Sequence, residues 1–438
     1  MPRHLIALSL LLLALVAAAG CGGSGDGGGA VRFLVFGDPE EINAYRELVR
    51  AYQEQDSEAE VQLIEASDRT DLIARLSTSI AGGSPPDLFL MNYRFYGQFA
   101  SKGAIEPMAD RLADSEAFRS DDFYPVAMEA FSWQGEQLCL PQNVSSLVVY
   151  YNKTLFKELG VPEPKDTWQW NDLTVTASRL TLDANGNPIR AGDPDAGGVK
   201  AAIYGLGVEP TLIRIAPFVW SIGGELVDDD ENPTRLTLDS PEAQVVLGQF
   251  LALRSLLGVV PSDIEVEAED DEARFANGRL AMLLSSRRST PTFRTITGFE
   301  WDVAPLPPFQ KKAGILHSDA YCMTKASKNK DAAWSFMEFA LGPEGQRIAA
   351  RTGRTVPSLK EVANSEAFLD PDARPAHSQV WLDAIPNIRH VPALSTWPEI
   401  EDASEPILEE ALYEGAPADE VAAELEKATK EIFARAER

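Results

Sequence analysis

The sequence predicts an α/β protein, and three observations carry that prediction. From Val31 to Met91, short apolar runs alternate with amphipathic helical stretches in the order strand, helix, strand, helix, strand, which builds a mostly parallel sheet. The composition, 45% hydrophobic and 24% charged, is that of a globular chain, and 438 residues suffice for two or three domains with real cores. After the first twenty residues no long apolar run recurs, so the helices are expected to pack on protein rather than on lipid.

The elements follow in order. Met1-Pro2-Arg3-His4 is a short basic start, and Leu5 to Ala19 is apolar but for Ser9, shorter than the ~20 residues of a bilayer span. Residues 1–20 therefore read as a secretory signal peptide. Ala18-Ala19-Gly20-Cys21 is similar to a bacterial lipoprotein cleavage site, with Ala18 where Leu or Val is usual. Cys21 is the expected lipidation site. Residues 21–30, rich in glycine, have too little side chain to pack and are expected to form a flexible tether. The chain is expected to be exported and held to the cell membrane by this lipid anchor only, facing the periplasm or the exterior.

Val31–Phe36 is the first expected strand. Asp38 before Pro39, with Glu41 three positions on, predicts a helix start with Asp38 as N-cap and Glu41 closing a capping box. Ile42, Tyr45, Val49 and Tyr52 then share one helical face. Strands are predicted at Val61–Glu65 and Asp87–Met91, with a helix between them at Asp71–Ala81. Ligands of such sheets bind beyond the carboxyl ends of the strands, which brings Asp38 and the Asn92-Tyr93-Arg94 loop together. Leu147–Tyr151 is strongly strand-like; Asp331–Leu341 and Asp419–Arg435 are helical, the latter with Val421, Leu425, Ala428 and Ile432 aligned.

The net charge of −28 argues against nucleic acid and against adhesion to anionic lipid surfaces. Cys139 and Cys322, the cysteines after Cys21, either pair in an oxidising compartment or pack as free thiols. No cofactor or metal is expected. Asp183 to Pro188 lacks the closing acid of a calcium loop. The adjacent Tyr150 and Tyr151 would point to opposite faces of a strand, which suits a core better than an iron site.

A family resemblance runs through ordered blocks across nearly the whole mature chain. Pro85 to Phe89, Ala100 to Met108, Gly135 to Pro141, Leu147 to Lys153 and Thr167 to Leu173 are similar to blocks of family 1 extracellular solute-binding proteins. So are Gly278 to Met282, Ser327 to Trp334, Gly353 to Pro357 and Trp397 to Ile400. These are the sugar-binding subunits of ATP-driven importers, the class of maltose-binding protein. The resemblance implies a two-lobed, type II periplasmic-binding-protein-like fold, its lobes joined by a multi-strand hinge with a ligand cleft between them. On that basis residues 31–142 plus 304–345 form one lobe and residues 143–303 plus 346–438 the other. It also implies capture of a sugar or sugar derivative by a monomer and delivery to ABC permease subunits. The same lobes could instead serve a membrane sensor.

The resemblance nominates site residues as well. Asp38 matches a carboxylate that accepts sugar hydroxyls, Tyr93 and Arg94 follow the third strand, and Asn143 and Ser145 lie just past the first inter-lobe crossing. Glu209 sits in an acidic turn similar to one that reaches ligand in maltose-type members. Trp220 and Trp397 are candidate stacking platforms. Arg287 and Arg288 stand where the family has a small residue and a tryptophan. With Arg354 near, that departure would suit an acidic or phosphorylated ligand, although arginines also hydrogen-bond the hydroxyls of a neutral saccharide and pair with the chain's own acids. His317 and Asp319 replace small residues of a late loop. An enzyme is not expected: His317, His377 and His390 form no metal-binding pair, and no Gly-x-Ser-x-Gly elbow occurs.

Overall fold

The computed structural model describes residues 29–56, 58, 60–189 and 200–437, so the expected signal peptide, Cys21 and most of the tether lie outside the described residues. β1 (Val31–Phe36) pairs in parallel with β2 (Val61–Ala66) on one side and β3 (Leu88–Asn92) on the other. The strand Asp319–Met323 runs antiparallel against β3, and Cys139–Pro141 adds antiparallel to it, completing a five-stranded sheet. Cys322 lies opposite Cys139 in that register, and the two are joined in a disulfide with their Cα atoms 4.5 Å apart.

Three helices each follow a strand of this sheet: α1 (Pro39–Gln55), α2 (Arg69–Ala81) and α3 (Tyr93–Ala100). Asp38 and Asp68 cap the first two, accepting from the amides of Glu41 at 3.0 Å and Asp71 at 2.8 Å. The predicted capping box is only half formed, because the Glu41 carboxylate turns inward and accepts from the Tyr45 hydroxyl at 2.9 Å. Ile42, Tyr45, Val49 and Tyr52 are buried, and Phe33 of β1 packs against Tyr45, Tyr321 and Phe336.

A second sheet holds Val148–Asn152 between Met282–Ser285 and Trp301–Pro305. Both pairings are antiparallel, unlike those of β1 with β2 and β3, because these strands arrive from separate parts of the chain rather than through strand–helix–strand units. Tyr150 sits among Phe275, Phe293, Trp301 and Trp381, which makes it core. The expected lobe boundary at 303/304 falls inside the strand Trp301–Pro305, so Ala304 and Pro305 go with the second sheet. The helix Pro343–Arg351 packs on α1 and on Lys330–Leu341, not on the second sheet.

Three extended segments pass side by side from one sheet toward the other. Ser145 and His317 exchange backbone hydrogen bonds at 2.9 and 2.8 Å, and the Val144 amide donates to the Val356 carbonyl at 2.9 Å. The helix Trp397–Glu410 then touches both α3 and Leu212–Ile222, spanning the two halves. In the last helix, Ala418–Ala434, the buried stripe is Val421, Leu425, Thr429 and Phe433, while Ala428 is exposed. The expected face slipped by one residue after Leu425, where Thr429 buries its hydroxyl by donating to the Leu425 carbonyl at 2.8 Å. Among the described residues no helix is long and apolar enough to cross a membrane.

Candidate functional site

A cavity of about 510 Å³ opens where the two sheets face each other across the crossing segments. The first half contributes the loops at the carboxyl ends of β1, β2 and β3: Phe36 to Asp38, Ser67 to Arg69, and Asn92 with Arg94. The crossing segments add Asn143, Ser145, His317 and Asp319. The second half brings Glu209, Ile213, Arg214 and Ser286 to Arg288, and Arg354 and Thr355 complete the wall. This is the position that an open α/β sheet reserves for ligands. Among the described residues no three His, Cys, Asp or Glu side chains converge as a metal site would require.

The lining is a set of charge pairs. Asp38 gives Oδ1 to the α1 cap, as expected, and Oδ2 to Arg354. Arg354 also reaches Glu41 at 2.5 Å. Burial pushes the Glu41 carboxyl up to about 7, Arg354 opposes this, and Asp319 adds to it. Arg94 pairs with Glu401, whose other oxygen accepts from Trp397 Nε1 at 2.7 Å. Arg214 donates to Glu209 at 2.6 Å, and Arg288 reaches Glu209 at 3.3 Å and Glu272 at 3.6 Å. Burial tends to raise the Glu209 carboxyl, but Arg214 and Arg288 hold it below its ordinary range.

His317 faces Arg214 Nη1 at 3.2 Å through Nε2. An arginine can only donate, so Nε2 accepts and the proton sits on Nδ1, which leaves an N–H donor. Burial, then Arg214, Arg94, Arg288 and Arg69, push the His317 pKa well below its usual value and keep the ring neutral. Asp319 accepts from Asn92 Nδ2 at 3.1 Å, and its amide donates to Asn143 Oδ1 at 2.7 Å, which fixes three polar groups at the cavity floor.

Of the residues nominated from sequence, Asp38, Arg94, Asn143, Ser145, Glu209, Arg287, Arg288, His317, Asp319 and Arg354 line the cavity; Tyr93, Trp220 and Trp397 do not. Tyr93 is buried and packs edge-on against His390, because the first residue of α3 points into the fold rather than along the wall. Trp220 is buried in the helix Leu212–Ile222 with the Arg389 guanidinium 4.6 Å over its ring. Trp397 is fully buried and acts on the cavity through Glu401. Arg287 borders the cavity, but its guanidinium turns inward: Nε donates to Gly353 O at 2.6 Å, Nη1 to Ser378 at 3.1 Å, and Trp381 stacks at 4.5 Å. The expected pair of arginines at the cleft is thus Arg288 alone.

Arg69, Arg214 and Glu41 were not nominated, although all three line the cavity. Arg69 was reachable from topology, since it opens the helix that follows β2 just as Asp38 precedes the helix after β1. Arg214 and Glu41 carried no such signal.

Residues 38–347 match the family described as bacterial extracellular solute-binding protein. The chain belongs to this family. It is a family of binding proteins, not of enzymes. The solute-binding protein is 25% identical over 334 residues to the maltotriose-binding protein of Pyrococcus abyssi, covering 74% of this chain and 66% of the relative. It is 25% identical over 308 residues to the mannitol-binding protein of Pseudomonas aeruginosa, covering 67% and 66%. In structure it is similar to an ABC substrate-binding protein from Listeria monocytogenes in complex with cycloalternan, with a TM-score of 0.81 at 24% identity over 92% of this chain and 98% of that one. That likeness shows the fold: an α/β periplasmic-binding-protein architecture, as the sequence predicted.

Proposed function

We propose that this solute-binding protein captures a saccharide between its two lobes and delivers it to the permease of an ABC importer, tethered meanwhile through lipidated Cys21. The observation that carries the reading is the polar cavity bounded by both halves of the chain, in a family whose relatives bind maltotriose and mannitol. Its volume suits a small polar ligand, within the ~300–1,000 Å³ of small-molecule sites. Asn92, Asn143, Ser145 and the His317 Nδ1–H offer donors and acceptors of the kind that hydroxyls require. A ligand that touches both halves at once favours the closed arrangement, because only differential affinity shifts such an equilibrium. The acidic or phosphorylated ligand suggested by Arg287 and Arg288 rests, of that pair, on Arg288.

A thermal-shift screen of the mature chain against sugars, polyols, sugar acids and sugar phosphates tests this. A ligand at a hundredfold excess over its Kd stabilises by about 2.7 kcal/mol. A shift confined to one saccharide class supports the reading, and a folded sample silent to the whole panel refutes it. Cys21→Ala should move the protein from the membrane fraction to the soluble one; retention of lipid label in that variant would refute the anchor.

A further inference from the structure

The arginines around the cavity are engaged, with one exception. Arg94 has Glu401, Arg214 and Arg288 share Glu209, Arg354 has Asp38 and Glu41, and the Arg287 guanidinium is bonded inside its own half. Arg69 alone makes neither an ion pair nor a hydrogen bond through its guanidinium among the described residues; Asp319 and Glu401 act on it only at longer range, as do Arg94 and Arg288. It lines the cavity from the first turn of α2. Its guanidinium carbon lies 5.0 Å from the ring centre of Phe95 and 5.4 Å from that of Phe36, so two aromatic rings hold it in place. The Nε is fully buried and unpaired. Arg94 also lies near the Phe95 ring, at 5.2 Å from its centre.

Arg69 is partly exposed, but its buried Nε lacks a partner, a cost that an anion's oxygen accepting from it would remove. Arg94, Arg214 and Arg288 line the same cavity, each engaged by the carboxylates named above, which leaves Arg69 as the arginine open to a ligand. The lining also lacks tryptophan and tyrosine, and Arg69 already lies against Phe36, its one phenylalanine. Recognition therefore falls to charge rather than to ring stacking.

We infer that the captured saccharide carries an oxyanion, a carboxylate or a phosphate, and that Arg69 is its seat. This rests on the saccharide reading above. The planar donor fork of a guanidinium matches either group with two parallel hydrogen bonds, whereas a neutral hydroxyl leaves the charge uncompensated.

Titration calorimetry on the mature chain decides the matter, with D-glucose, maltotriose, D-glucuronate, D-glucose 6-phosphate and inorganic phosphate as probes. D-glucuronate or D-glucose 6-phosphate should bind at least tenfold more tightly than D-glucose, and the tighter of the two tells carboxylate from phosphate. In Arg69→Met that ratio should fall at least tenfold, and Arg69→Lys should restore part of it. If Arg69→Met does not fold, the wild-type ratio and Arg69→Lys still decide. Neutral sugars binding as tightly as the anionic ones, with a ratio indifferent to Arg69, would overturn the inference and leave the saccharide reading standing. Arg69-dependent binding of inorganic phosphate alone would support the oxyanion seat and overturn the saccharide reading. No heat from any probe with a folded sample would overturn both.

Discussion

Arg94 and Glu401 show how a binding residue depends on groups the ligand never meets. Both side chains are mostly buried, and Trp397 holds Glu401 in turn. Breaking such a pair leaves a buried charge without its partner, at a cost of about 3 kcal/mol. Glu401→Ala should lower stability by about that amount in denaturant titration, and should weaken ligand binding as Arg94 loses its position; an unchanged midpoint would contradict the pairing. Glu41 makes a second test through pH. Its folded carboxyl, pushed by burial up to about 7, keeps a proton that an ordinary carboxyl near 4.5 releases. Between those values the folded chain binds more protons than the unfolded one, so this contribution is complete below about 4.5 and is lost as pH rises through about 7. The loss over that window is about 3 kcal/mol. Comparing denaturant stability of wild type and Glu41→Gln from pH 4.5 to 8 should show a steeper decline in wild type, since Asp271, also raised to about 7 by burial, contributes to both; parallel profiles would contradict it. At this scale the sequence disclosed which polar residues gather at the strand ends, but not their partners. The inward turn of Arg287 depends on Gly353, Ser378 and Trp381, which are distant in the chain.

At the scale of elements, local pattern served best where one face alone is buried. The α1 stripe of Ile42, Tyr45, Val49 and Tyr52 was legible because a period near 3.6 has a single solution there. In the last helix a buried threonine stands at the position that decides the stripe, and an apolar pattern reads past it. The antiparallel second sheet was not legible either, since its strands are far apart in sequence. Gly97 gives an element-scale test of how α3 carries Arg94. A Cβ there would lie 2.4 Å from the Leu394 carbonyl oxygen and 3.2 Å from the Trp133 ring, so the helix would have to shift. Gly97→Ala should cost about 1–3 kcal/mol, as overpacking does, and should also weaken ligand binding although residue 97 does not line the cavity. Calorimetry and thermal melting together check this; wild-type affinity and melting in the variant would show that α3 tolerates the contact.

For the whole molecule, the two-lobed plan was readable from the order of family-like blocks, since each block occupies a fixed place in the fold. The division into lobes was less so. Chain passes between the halves several times, and the helix Pro343–Arg351 packs on α1 and Lys330–Leu341 rather than on the second sheet. The crossing segments at Val144, Ser145, His317 and Val356 tie the halves by a few backbone hydrogen bonds, the sort of narrow joint about which rigid bodies rotate. Binding in the cavity should thus change the shape of the molecule as well as its stability. Small-angle X-ray scattering of the mature chain, with and without a saccharide that calorimetry has shown to bind, measures that change directly. The account predicts a smaller radius of gyration in the saturated sample, reversed on removal of the saccharide. Tight binding with superimposable scattering curves would contradict capture by closure of the two lobes.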